Sequence, residues 1–90
     1  MSPVKTQKEP HSTRVERTQT GVRMEKRILK VLKALAEYLE MSLGDLLEGI
    51  VLHAFEGKET FSESLLIKIE EIKKVYELDL TSEHAHRLNE

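Results

Sequence analysis

The stretch RTQTGVRM, Arg17 to Met24, decides the fold. Thr18, Thr20 and Val22 favour a strand, because β-branched side chains fit a pleated surface and lose rotamer freedom in a helix. The alternation reaches back to Val15. Val15, Arg17, Gln19, Gly21 and Arg23 share one face, and Glu16, Thr18, Thr20, Val22 and Met24 the other. One short strand is therefore predicted in a chain that otherwise has helical spacing. A lone strand leaves its backbone N–H and C=O groups unpaired, and even a two-stranded ribbon is marginal without apolar support. The strand needs a partner.

At Glu25 the period changes. In EKRILKVLKALAEYLEM (25–41), Ile28, Leu32, Leu35 and Leu39 form an apolar stripe flanked by Leu29, Val31 and Ala36, with Lys26, Lys30, Lys33 and Glu37 opposite. A second helix starts at SLGD, where Ser42 caps and Asp45 takes the third position of a capping-box-like signature. Its body, LLEGIVLHAF (46–55), is apolar nearly all round and needs cover on more than one side; Gly57 is placed to end it. Mid-helix Gly49 fits either a close helix approach or an unselected surface position. A third helix is predicted from the capping pair Thr60 and Glu63 and the stripe Leu65, Leu66, Ile69, Ile72, Val75 and Tyr76.

Ninety residues make one domain with a thin monomeric core, which favours oligomerisation. The absence of cysteine excludes disulfides, thiolate metal sites and a Cys nucleophile. No apolar run approaches a membrane span and the N-terminus carries no signal-peptide pattern, so a soluble, cytoplasmic protein is expected. The charge is unevenly distributed. Residues 1–33 carry nine Lys or Arg against three acids, a balance of +6, whereas the remainder carries five against thirteen, or −8. Such asymmetry suggests a basic surface for an anionic partner and an acidic surface used otherwise, against the simpler reading that charges solvate helix faces.

A two-fold dimer satisfies both the strand and the apolar second helix. The strands of two copies pair antiparallel, and the helices bury their excess apolar surface across the axis. Residues 17–55, RTQTGVRMEKRILKVLKALAEYLEMSLGDLLEGIVLHAF, resemble the ribbon-helix-helix domain of the Arc and MetJ-type repressors in the polar alternating strand, the ILxxLxxLA helix and the SLGDLL start. The expected class is thus mainly α. The strand would pair with its dimer mate over two core helices, and an additional helix would follow. The domains are a disordered basic and polar arm at 1–15, a ribbon-helix-helix domain at 16–57, an additional helix at 58–80 and a flexible tail at 81–90.

The resemblance implies a homodimeric transcriptional regulator, a repressor of sequence-specific type, whose ribbon enters the major groove of double-stranded DNA. The outward strand positions carry over to Gln19, Gly21 and Arg23 as base contacts. Gln suits adenine and Arg suits guanine, while Gly21 has no side chain to read with. The N-terminus of the second helix, Ser42, Leu43 and Gly44, is the phosphate clamp implied by the family, and unpaired N–H groups there favour an anion in any case. Arg14, Arg17, Lys26 and Arg27 complete the phosphate-contacting set, and Lys30 and Lys33 are read as solubilising charges. The dimer core is expected from Val22, Met24, Leu32, Leu35, Leu39, Leu46, Leu47, Ile50, Val51 and Phe55.

The alternative is a dimeric protein-interaction module, antitoxin-like or otherwise, that binds a protein partner through LLIKIEEIKKVYELDL (65–80) and the acidic half. Metal sensing by His53, His84 and His86 is disfavoured, since two tail histidines are too few ligands, and no metal or cofactor is expected. Nor is catalysis, because the chain has no phosphate-binding Gly loop, no HExxH and no implied carboxylate pocket.

Overall fold

The computed structural model describes residues 13–89. Residues 1–12 of the expected arm and Glu90 of the expected tail lie outside them. Three helices follow one another: α1 (Lys26–Tyr38), α2 (Leu43–Phe55) and α3 (Glu63–Val75), with a 3₁₀ turn at Ser82–His84.

No strand forms among the described residues, and residues 13–25 are neither helix nor strand. The predicted strand within 16–24 and the ribbon-helix-helix class built on it are therefore corrected to an arrangement of three helices. The physical reason is pairing. Period-two alternation describes which way side chains would point, but a strand exists only through a ladder, and nothing among the described residues pairs with 16–24. The segment is instead tied down by a side chain: the Arg17 guanidinium donates to both carboxylate oxygens of Glu48 on α2, at 3.1 and 2.9 Å.

Helix α1 is central, packing against both α2 and α3. Leu35 and Ala36 of α1 and Leu46 of α2 form the buried cluster, with Leu32, Leu39, Ile50, Phe61, Leu65, Ile69 and Ile72 packed around it. Val31 is the only other buried apolar residue among those described. Helix α2, expected to need cover on several sides, is covered on one. Leu46 is 3% exposed, while Val51, Leu52 and Phe55 face outward, Phe55 at 81%.

The helix starts differ in detail from the sequence reading. Lys26 and Arg27 open α1 with positive charge where the helix dipole favours negative. The conflict is resolved by Glu25, which caps the helix: its Oε1 accepts from the backbone N–H of Arg27 (2.8 Å) and Ile28 (3.0 Å). Ser42 caps α2 as expected, accepting from Asp45 N–H at 3.0 Å. The cap of α3 is Ser62, accepting from Leu65 N–H at 3.2 Å, rather than Thr60.

The helix ends share one device. In each, a residue in the left-handed region lets two N–H groups reach back to the last carbonyls. Met41 and Glu40 bond Ala36 and Glu37, Lys58 and Gly57 bond His53 and Ala54, and Leu78 and Glu77 bond Lys73 and Lys74. Only α2 has glycine at that position; Glu40 (φ 57°) and Glu77 (φ 55°) adopt the same conformation with a side chain.

Candidate nucleic-acid interface

Lys26, Lys30 and Lys33 are exposed and follow one another at i, i+4 and i+7 on α1, opposite the buried Val31, Leu35 and Ala36. At 1.5 Å rise per residue the row spans about 10 Å along the axis. Arg14 and Arg23, in the irregular segment that leads into α1, are exposed as well, and Arg23 is engaged in an interaction. Over residues 13–33 seven basic side chains stand against two acids, Glu16 and Glu25. Lys30 and Lys33, read from the sequence as solubilising charges, share this exposed face with Lys26.

Two expected phosphate contacts are held by acids of this same chain. Arg17 is clamped by Glu48, with Asp45 a further 3.8 Å contact. The hydrogen bond from Arg17 holds the Glu48 carboxyl below its ordinary value and raises the guanidinium in return. Arg27 bridges two helix ends. Its Nε donates to Glu25 Oε2 at 3.0 Å, and its Nη1 donates to Glu77 O and Asp79 Oδ1, both at 3.1 Å. A cation thereby sits at the carbonyl end of α3, where the dipole favours it. The Glu25 carboxyl is lowered first by the Ile28 N–H it caps, and then by Arg27.

The fold brings part of the expected phosphate clamp together. Arg17, Ser42 and Gly44 line one groove of about 500 Å³ with Thr18 and Thr20, but Glu16, Asp45 and Glu48 line it too. Three carboxylates against one guanidinium make this a poor place for an anion. Leu43 is half-buried beside it. The expected base-contacting trio, Gln19, Gly21 and Arg23, is exposed on the irregular segment and has no strand to set its alternation.

The residues assigned to a dimer core divide into two groups. Leu32, Leu35, Leu39, Leu46 and Ile50 pack within the single chain. Val22, Met24, Val51 and Phe55 are exposed, and half-buried Leu47 joins Val51, Leu52 and Val15 along an apolar groove of about 450 Å³. On α3, Leu66, Ile67 and Val75 are also exposed, while Lys68 lies 5.1 Å from the ring centre of Tyr38 and ties α3 to α1.

Among the described residues no group of three or more His, Cys, Asp or Glu side chains comes together that would hold a metal ion. The His84 ring is used locally, its Nδ1 accepting from Thr81 N–H at 3.0 Å. No helix among the described residues is long and apolar enough to cross a membrane. Compared with known proteins, the chain matches no family model, no curated protein and no solved structure. The ribbon-helix-helix resemblance thus rests on the quoted residues alone, and the strand it required does not form.

Proposed function

We propose that this protein binds double-stranded DNA as a homodimer and acts as a cytoplasmic transcriptional regulator, with α1 and the segment before it facing the phosphates. The observation that carries this reading is the exposed row Lys26, Lys30 and Lys33, with Arg14 and Arg23 also exposed on the segment before α1, in the basic part of an otherwise acidic chain. Duplex DNA presents about one charge per 1.7 Å of axis, so a row of lysines gains affinity by releasing condensed counterions. Gln19 and Arg23 are the side chains assigned to base edges, on an irregular segment rather than a ribbon.

Dimerisation is supported by the apolar face of α2. Four buried apolar residues among those described are a small core, and Leu47, Val51, Leu52 and Phe55 follow one another along one side of α2, a patch that a second copy would cover. A second reading, a protein partner on the acidic half, is favoured by the exposed apolar side chains Leu66, Ile67 and Val75 on α3.

Fluorescence anisotropy with a randomised duplex pool across a salt series tests the DNA reading. Wild type is expected to bind at low salt with a log–log slope set by about 0.9 per phosphate contacted. The triple variant Lys26→Ala, Lys30→Ala, Lys33→Ala should be shallower by about 2 to 3 in that slope, at roughly 0.9 per lysine removed. The double variant Gln19→Ala, Arg23→Ala should lose preference among sequences selected by wild type. Absence of binding by wild type at low salt refutes the proposal and leaves the protein-partner reading.

A further inference from the structure

We infer that the segment following α3, residues 77–89, is an autoinhibitory strap that occupies the basic end of α1 and competes there with DNA phosphate. The inference rests on the DNA-binding reading above and adds its regulation.

Arg27 stands one position from Lys26, at the end of the lysine row nearest Arg23. Two of its three acceptors come from the strap: the Glu77 carbonyl and the Asp79 carboxylate, both 3.1 Å from Nη1. Asp79 stands to Arg27 as a phosphate oxygen would, an anionic acceptor at hydrogen-bond distance. The strap then returns to the same end of the molecule. Leu88 and Asn89 line a groove of about 280 Å³ with Arg23, Met24 and Glu25, so both ends of the segment lie against the entry to α1. Its charge suits the position, with Glu77, Asp79 and Glu83 against Arg87.

Beyond Glu77 and Leu78, whose N–H groups close the end of α3, the strap is weakly held. None of residues 77–89 is buried, only Leu78 and Leu80 are half-buried, and the Asp79 side chain is 85% exposed. Segments with few buried contacts open at low free-energy cost relative to global unfolding. Arg27 also keeps its bond to Glu25 when Asp79 leaves, so the α1 cap survives release of the strap. The device is a local exchange of one anion for another at a guanidinium, with no change in the helical core.

The test compares wild type, Asp79→Asn and the charge-matched Glu83→Gln, all as full chains, on the same randomised duplex pool across the salt series. Removal of the competing carboxylate adds about one phosphate contact. Asp79→Asn should therefore steepen the log–log slope by about 0.9, which at 0.1 M salt corresponds to affinity roughly five- to tenfold tighter. Glu83→Gln makes the same change in net charge without touching Arg27 and should stay within about twofold of wild type, the size expected of a distant, screened charge. Equal affinities for wild type and Asp79→Asn, with wild type binding, overturn the strap while leaving the DNA reading standing. Equal gains in both variants also overturn it, since net charge alone then accounts for the effect. No binding by any of the three overturns the DNA reading and the strap together.

Discussion

Replacing Phe55 by Ser separates a molecule that works alone from one completed by a second copy. In the single chain the Phe55 ring is 81% exposed, at the last turn of α2 beside Val51 and Leu52. Its removal takes away almost no intramolecular contact, so a monomer should lose no more than about 0.5 kcal/mol, as for other surface substitutions. If two copies cover the α2 faces, the substitution acts twice. At about 1.5–3 kcal/mol for burial of a large apolar side chain, a dimer loses about 3–6 kcal/mol. With 1.4 kcal/mol per decade, the dissociation constant should rise by about 10²- to 10⁴-fold. Sedimentation equilibrium over a concentration series measures that constant directly, and thermal unfolding at two concentrations checks it, because Tm of an associating protein rises with concentration. Leu46→Ala is the contrasting case: Leu46 is 3% exposed inside the chain, and its truncation should cost about 2–5 kcal/mol whatever the oligomeric state. A wild-type protein that sediments as a monomer at the highest attainable concentration, or a Phe55→Ser variant that dimerises as tightly as wild type, refutes the assignment of the α2 face.

Glu40→Gly should stabilise the protein by about 0.5–1 kcal/mol, since Glu40 holds a left-handed conformation that favours glycine; at 4–8 °C per kcal/mol this is a rise in Tm of about 2–8 °C, read by thermal unfolding. An unchanged or lowered Tm would mean that the α1 terminus carries no backbone strain. Stability should fall on acidification for a specific reason. Glu48 and Glu25 both have folded-state values depressed below the ordinary 4.5, Glu48 mainly through the Arg17 hydrogen bond and Glu25 mainly through the Ile28 N–H. Their contribution is present in full above the unfolded value and is lost as pH falls below about 4.5 through the folded values. Glu48→Gln should remove part of that acid dependence while leaving the Glu25 part, as seen in Tm against pH; identical profiles for variant and wild type would rule out the Arg17–Glu48 pair as a contributor.

Acid dependence and helix-end strain both come from contacts that the one-dimensional pattern shows unevenly. Ser42 and Gly57 are legible because the residue type alone supplies the physics, a side-chain acceptor at the start and freedom for positive φ at the end. Glu25 as a cap and Glu40 and Glu77 as left-handed terminators are not legible, since glutamate is an ordinary choice for neither role. Among the charged side chains, the i, i+4, i+7 row of lysines is legible in the sequence, because helical spacing alone places the three on one face. The fates of Arg17 and Arg27 were hidden, because their partners Glu48 and Asp79 lie 31 and 52 residues away.

What the sequence determined by itself is the helical periodicity: the stripes that place Leu35, Ala36 and Leu46 in one core and the lysines opposite follow from spacing, a local property of the chain. The tertiary structure alone decided whether 16–24 would become a strand and which cations would stay exposed. Strand formation depends on a ladder partner and charge availability on an opposing side chain, and neither is encoded within a few residues of the segment concerned. RTQTGVRM carries the alternation of a strand, and in the folded chain it is an irregular segment tied to α2 through Arg17.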